Sequence, residues 1–449
     1  MVKIPVILLL LVLLPFGAAA AESPIVWHQR TSGNSFMMPA PLVAQAENVL
    51  LQMTGEGLYA LEFDTGKVLW TKTGKTLRFI LSQPCLNKGI VYAAVPSQEK
   101  KPSRAIAAYN VKDGTEIWQH DFGEFYAAES YGSIFSSIAF DPVNSRLLLC
   151  VGDTPNEKLV ALDLNGKQIW AAQIGTKPAS PIVSPEQKMV YCCCGNPEGE
   201  PSHLAAINLA DGSIAWKKVI WGASDGASDA LPAGDRVYLL ADDKPGTTAY
   251  REQNAPAEGY IICLEAKTGK ELWVCDVNEN FKDDGSPARS RESCYYNAGQ
   301  STWGVLTMFH KGVNRRAVGS PLLADNGKRL ITQNEYGLCG IDTTSGKVVW
   351  RVRSPRLERC HYALKGDAVL TGDDMGGISA MRASDGQFFW RLDLAKLPAA
   401  DNVPKAEHGA PVVGPVGDPT VIGDCLYATT CGGYTFKLKM PPLQPAGAR

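Results

Sequence analysis

Short runs of apolar residues, broken by turn-forming polar ones, fill most of this chain, and the runs repeat. At residues 58–70 the text reads LYALEFDTGKVLW: a β-rich run, a turn, and the start of a second β-rich run. Six later stretches say nearly the same: AAYNVKDGTEIW, VALDLNGKQIW, AAINLADGSIAW, ICLEAKTGKELW, CGIDTTSGKVVW and SAMRASDGQFFW. In every copy a Gly stands four positions before a Trp: Gly66/Trp70, Gly114/Trp118, Gly166/Trp170, Gly212/Trp216, Gly269/Trp273, Gly346/Trp350 and Gly386/Trp390. The Gly supplies the positive φ that a tight hairpin needs. Further upstream a small residue recurs, at Ala60, Ala108, Ala161, Ala206, Cys263, Gly340 and Ala380. Two more strand-like runs precede each hairpin, for example APLVA with NVLLQM, or SPLLA with RLITQ. One repeat therefore predicts four short antiparallel strands, and no later stretch has the spacing of a long amphipathic helix.

Four-stranded sheets repeated at this period predict an all-β chain folded as a β-propeller. Seven hairpins end in Trp, and an eighth Trp, Trp27, has no hairpin before it. The last segment, ending CLYATTCGGYTFKLKM, carries three strand-like runs but no closing G-x-x-x-W. The run PIVWHQ around Trp27 then supplies its missing outer strand and leaves no open sheet edge between the chain ends. The expectation is an eight-bladed β-propeller of four-stranded antiparallel blades, closed by the N-terminal strand joining the C-terminal blade. Seven blades are the alternative if one repeat is degenerate.

The pattern A-[LIY]-[DEN]-x-x-x-G-x-x-x-W resembles the pyrroloquinoline-quinone (PQQ) type repeat, and the likeness covers nearly the whole chain. The resemblance implies a propeller whose Trp27, Trp70, Trp118, Trp170, Trp216, Trp273, Trp350 and Trp390 dock neighbouring blades together. It implies no single activity, because that family includes BamB-like propellers and, more distantly, quinoprotein dehydrogenases.

Composition adds a compartment. MVK, the apolar IPVILLLLVLLPF and the small-residue GAAAAES read as an export signal. Residues 1–21 are thus expected to be a signal peptide, 22–440 a single propeller domain and 441–449 a short tail. The apolar run is short for a membrane span, and no Cys follows it as a lipid-attachment site. An exported chain of periplasmic or extracellular location is expected, as a monomer. A net charge of −2 gives no general attraction to nucleic acid or anionic lipid. The 12 Cys include no C-x-x-C, which argues against a zinc ribbon and c-type haem.

Function is expected on one face of the disc. With strands A to D running from the axis outward, A–B and C–D turns share one face, and B–C and D–A connections share the other. The C–D turns hardly vary, whereas 11 positions separate Trp170 from Pro181 and 48 separate Trp273 from Pro321. Insertions in repeat proteins gather on the binding face. Residues 225–284 carry 13 acids against 6 Lys and Arg, while residues 286–316 carry Arg289, Arg291, Lys311, Arg315 and Arg316 against Glu292. RVRSPRLER adds Arg351, Arg353, Arg356 and Arg359. Guanidinium forks suit carboxylates and sulfates. Solvated loop charge, or Arg paired with the neighbouring acids, is the plainer explanation. Trp221 and Trp303 fall in D–A connections, with Tyr295 and Tyr296 in the same insertion as Trp303; they offer flat surfaces for a sugar, or cover small loop cores. His361 and His408 stand near the starts of inner strands, at the channel. The six His form no H-x-H or H-E-x-x-H, and GDDMGG at residues 372–377 sits in an ordinary B–C turn, so no metal site is expected.

Cys192, Cys193 and Cys194 form a triplet. A vicinal disulfide resembles the one beside the quinone in alcohol-oxidising quinoproteins. On an extended strand, however, neighbouring side chains point to opposite faces, which favours small buried residues. The candidate ligand site is therefore Arg315, Arg316, Arg359, His361, His408, Trp303, Tyr295 and Trp221, and no catalytic residue is assigned. The expected function is non-catalytic binding or scaffolding, with a protein or anionic glycan as partner and no cofactor. The alternatives are a PQQ-dependent oxidoreductase carrying PQQ with a divalent metal, and a cofactor-free propeller enzyme such as a polysaccharide lyase.

Overall fold

In the computed structural model, strands pair in eight antiparallel sheets, seven built from consecutive strands and the eighth from the last three described strands and the first. The structure describes residues 24–31, 40–54, 57–73, 82–96, 103–124, 133–153, 157–195, 202–221, 230–241, 260–277, 321–334, 337–353, 362–372, 376–394, 397, 419–430 and 433–444. Blade 1 comprises strand A Leu42–Ala44, B Val49–Thr54, C Gly57–Glu62 and D Val68–Thr73. Blades 2 to 7 repeat that order over residues 85–124, 133–172, 176–221, 231–276, 322–353 and 362–393, with the inner strand of blades 3 and 4 broken into two segments, 133–135 with 139–141 and 176–178 with 182–184. In blade 8, strands Thr420–Ile422, Cys425–Thr429 and Tyr434–Lys439 are joined by Ile25–Arg30 as the outer strand. The protein is an eight-bladed β-propeller closed by its own N-terminal strand. The proposed signal peptide lies outside the described residues.

Burial follows position in the blade. Strand B of blade 1, VLLQMT, is buried at every residue, because sheets pack on both its faces. Strand D, VLWTKT, has a neighbour on one edge only and alternates between half-buried and exposed.

The ring is held by indoles. Trp27 of blade 8 lies on Gly66 of blade 1, Trp70 on Gly114, Trp118 on Gly166, Trp170 on Gly212, Trp216 on Gly269, Trp273 on Gly346 and Trp350 on Gly386. Each Trp thus docks on the glycine of the following blade, one repeat beyond the Gly in its own hairpin. A Cβ on Gly66 would stand 2.5 Å from the Trp27 ring, and Gly66 has φ +74°. Glycine is therefore required twice, for the backbone and for the ring lying on it. The recurrent small residue completes the seat. Ala60, Ala108, Ala161, Ala206, Cys263, Gly340 and Ala380 each face the Trp of their own blade across the C–D ladder. At Gly340 a Cβ would meet Trp350 Nε1 at 2.2 Å.

Most indole N–H groups donate into the next hairpin: Trp27 to Phe63 O at 3.3 Å, Trp70 to Val111 O at 2.8 Å, Trp118 to Leu164 O at 2.8 Å. Trp216, Trp273 and Trp350 follow, to Ala266 O, Thr343 O and Ala383 O at 3.1, 3.1 and 2.9 Å. Trp170 Nε1 is buried without an acceptor, and the equivalent carbonyl, Leu209 O, instead accepts from Arg146 Nη1 at 3.1 Å. Trp390 Nε1 has none either, for a different reason. Strands C and D of blade 8 come from opposite chain ends, so no hairpin lies there to receive it. Trp390 packs instead in a core with Met440 and Leu443.

The closing seam carries extra contacts. Phe63 stacks on Tyr427 at 5.0 Å between ring centroids, and Lys437 Nζ lies 4.6 Å from the Phe63 ring and 3.6 Å from Asp64 Oδ1. One expectation is corrected here. Trp221 is not in a D–A connection; it ends the outer strand Ile214–Trp221 of blade 4, its backbone paired with Ser202. This strand runs past its Trp216 hairpin end because strand C of the same blade starts early enough to pair with it.

Two outcomes follow. Deleting Ile25–Arg30 uncovers the ladder of Tyr434–Lys439 and removes Trp27 from Gly66. The thermal midpoint should fall far more than after an ordinary terminal trim, and an unchanged midpoint would refute closure by this strand. Trp350→Ala should cost about 3–5 kcal/mol in denaturant unfolding, the range for truncating a buried aromatic.

Candidate functional site

Polar residues just before the inner strands of blades 1 and 2, and at the break within those of blades 3 and 4, link neighbouring blades. Gln83 Nε2 donates to Ala40 O at 3.0 Å, and the Gln83 N–H donates to Ser137 Oγ at 3.1 Å. The Ser137 N–H donates to Ser180 Oγ at 3.2 Å, and Ser82 Oγ donates to Ser136 O at 2.6 Å. Blades 1 to 4 are thus tied side by side. The tie satisfies backbone groups where the chain enters the disc and has no ladder partner.

Outward from that belt, blade 4 holds a group of ionisable side chains. Strand B, Met189–Gly195, and strand C, Ser202–Asn208, pair so that Cys194 stands directly opposite His203. Both lie at the strand ends that open onto the B–C/D–A face. The D–A connection crosses above them: a Cβ on Gly175 would come within 2.7 Å of His203 Cε1 and 2.8 Å of Cys194 Cβ. His203 Nε2 is 2.9 Å from Ile174 O, and a carbonyl only accepts, so Nε2 carries a proton. That leaves the other ring nitrogen for Cys194.

The pair settles toward thiolate and imidazolium. A hydrogen bond from Cys192, together with His203, holds the Cys194 thiol down to about 6 against the opposing effect of burial. Bonding to Cys194 raises His203 above its usual range, although burial opposes it. The Cys192 thiol is pushed well up, by its bonds to Cys150 and Cys194 and by complete burial. Lys217, on the adjacent outer strand, adds a distant positive charge. Thiolates of this kind are nucleophiles and ligands for soft electrophiles.

The sites expected from sequence fare unevenly. Arg315, Arg316, Arg359, His361, His408, Trp303 and Tyr295 lie outside the described residues. Of that set only the backbone of Trp221 is placed, on the outer edge of blade 4. Sequence reasoning passed over the Cys194–His203 pair and the Gln83–Ser137–Ser180 belt. The register of the blade 4 hairpin would have found the former, since pairing Ala206 with Tyr191 forces Cys194 opposite His203.

The Cys triplet does not take the arrangement that the quinoprotein likeness suggested. Cys193 packs in the core shared with blade 5, whereas Cys192 and Cys194 pack in the core shared with blade 3. Cys193 and Cys194 therefore point apart and do not fit a vicinal disulfide. Among the described residues, no group of three His, Cys, Asp or Glu could hold a metal ion. No helix among them is long and apolar enough to cross a membrane.

The sequence matches the family described as outer membrane protein assembly factor BamB over residues 18–124, 155–255 and 202–438. It is 23% identical over 241 residues to the outer membrane protein assembly factor BamB of Yersinia pestis, covering 47% of this chain and 57% of that protein. It is 22% identical over 421 residues to a polyvinylalcohol dehydrogenase of a Pseudomonas species, covering 72% of this chain and 64% of that one. The chain thus spans less than two thirds of either relative. Among solved structures, the quinohemoprotein alcohol dehydrogenase ADHIIG of Pseudomonas putida HK5 aligns with a TM-score of 0.58 at 12% identity, covering 96% of this chain and 79% of that one. That likeness is one of fold.

The thiolate has a spectroscopic test. The 240 nm absorbance difference between the wild type and Cys194→Ala should titrate with a midpoint near 6 rather than 9.0, the ordinary thiol value. In His203→Ala the midpoint should move up. The linked stability runs in opposite directions: the Cys194 contribution is full above 9.0 and lost as pH falls through about 6. The His203 contribution is full below 6.5 and lost as pH rises through its raised value. A midpoint near 9 in the wild type would refute the ion pair.

Proposed function

This chain belongs to the PQQ-repeat propeller family described as outer membrane protein assembly factor BamB, and on that premise we propose that it is an exported, non-catalytic binding propeller. One observation carries this reading: the C–D hairpins are occupied by the docked indoles of neighbouring blades. A hairpin whose glycine is covered by an indole cannot change length without opening the ring. Variation is left to the opposite face, where the longest connections of the sequence fall.

On that face the ligand is an anionic glycan or an acidic protein partner. Arg315, Arg316 and Arg359 are the proposed source of charge, with His361 and His408 as further polar candidates and Trp303 and Tyr295 as the candidate flat surfaces. Guanidinium groups at a partly exposed rim are screened by salt, and aromatic stacking is screened much less. Binding to a sulfated or uronate-bearing oligosaccharide, or to an acidic peptide, should weaken from low to physiological salt. Arg316→Ala and Arg359→Ala should each reduce it with little change in the thermal midpoint. Titration calorimetry at two ionic strengths reads this directly, and salt-independent binding or unaffected variants would sink the ligand assignment.

Similarity to the polyvinylalcohol dehydrogenase over 72% of the chain supports a second reading, a quinoprotein oxidoreductase. It makes a distinct prediction. Protein purified from its native host would carry quinone absorbance near one equivalent, whereas the binding reading expects none.

A further inference from the structure

The core between blades 3 and 4 contains three thiols, Cys150, Cys192 and Cys194, as does the one between blades 5 and 6, with Cys263, Cys275 and Cys339. Cys150 belongs to strand B of blade 3, Arg146–Asp153, and Cys192 to strand B of blade 4. Their sulfurs are 3.6 Å apart, in van der Waals contact across the interface, and both side chains are fully buried. The other thiols of the triplet are directed elsewhere. Cys193 faces blade 5, and Cys194 is paired with His203. Cys192 is the thiol of the triplet that meets Cys150 of the neighbouring blade.

We propose that Cys150 and Cys192 are a disulfide-forming pair that locks blade 3 to blade 4. The geometry needs the sulfurs to approach from 3.6 Å to about 2.04 Å, a movement for side-chain torsions and a small closing of two sheets rather than a rearrangement. The chemistry is oxidation of two thiols by an external disulfide of the glutathione class. Cys150 and Cys192 each lose a proton and together two electrons, their S–S bond forms, and the oxidant's S–S bond breaks to give two thiols. Such bonds persist in oxidising compartments, which suits an exported chain. The exchange needs in-line access to a sulfur, so the bond forms while blades 3 and 4 are still open during folding, and complete burial in the closed ring then shields it from thiol reductants.

Consequences for the ring are specific. The bond would close a loop of the residues between 150 and 192 and restrict the unfolded chain. It would also cross-link the junction where Trp170 lacks its indole acceptor. Elsewhere along the described junctions, except at Trp390, that acceptor is present.

The test uses the full-length protein refolded in the presence of oxidised glutathione, with free thiols then alkylated under denaturing conditions and peptides mapped without reduction. A peptide containing Cys150 linked to the one containing Cys192 is expected. The link should persist in Cys194→Ala and Cys193→Ala and disappear in Cys192→Ala. Oxidised wild type should melt about 5 °C above its reduced form, a gap absent in Cys192→Ala. Quantitative alkylation of Cys150 after oxidation would overturn the proposal, as would a link that survives in Cys192→Ala. Should Cys192→Ala fail to fold, Cys150→Ala together with the wild-type peptide map gives the same decision.

Discussion

An indole pressed onto a glycine is the contact that the rest of this propeller depends on. Each docked Trp but Trp27, which faces Lys437, is seated between a small residue of its own blade and a hairpin glycine of the next, and most also donate a hydrogen bond into that hairpin. The contact fixes three things together. It sets the spacing of the blades, it forbids a side chain at the hairpin glycine, and it holds the turn to one length. Because the dock is offset by one blade, each repeat is incomplete alone. A ring of such units is stable only when closed, which explains why the outer strand of the last blade comes from the other end of the chain.

The seam is where that rule cannot be kept, and its chemistry changes accordingly. Blade 8 has no continuous C–D hairpin, so Trp390 packs against the apolar core that Met440 and Leu443 also border, in place of a glycine and a carbonyl. On its other side, blade 8 is joined to blade 1 by more than the indole. Trp27 and Lys437 both donate to Phe63 O, and Tyr427 stacks on the Phe63 ring. The added contacts sit at the one blade whose strands are not covalently continuous.

Much of this was legible in the sequence because hairpin chemistry is local. Gly66/Trp70 and its six copies contain the turn, the small seat and the indole within a dozen residues, so strand order, blade number and closure could all be read from them. What the text hides is the partner. Gly66 and Trp70 look like a pair, yet Gly66 carries Trp27 and Trp70 reaches Gly114. The Cys192–Cys194 triplet was legible in part: alternation correctly separated Cys193 from its neighbours. Its environment was not, since Cys150 and His203 meet it only after blades 3 and 4 pack and the register of strands B and C is set. Trp221 was misplaced for a related reason. Nothing local in VIW marks where an outer strand stops, because that depends on how far strand C extends beside it.

The same constraint divides the two faces of the disc by function. On the hairpin face, sequence variation is limited by the docked rings. On the opposite face, blades 1 to 4 are tied through Ala40, Gln83, Ser137 and Ser180, using neutral groups to satisfy backbone atoms. Charge and length are concentrated elsewhere in the sequence, with the 48 positions from Trp273 to Pro321 and the Arg-rich stretch after Trp350 both arising from blades 5 and 6. A ligand held by those segments would meet a disc whose neighbouring sector is already cross-braced by hydrogen bonds. If Cys150 and Cys192 also close, that sector gains a covalent brace at the junction with the unbonded Trp170 indole. Rigidity and recognition would then occupy different arcs of one ring, a separation that repeats allow because each blade needs only its neighbours to fold.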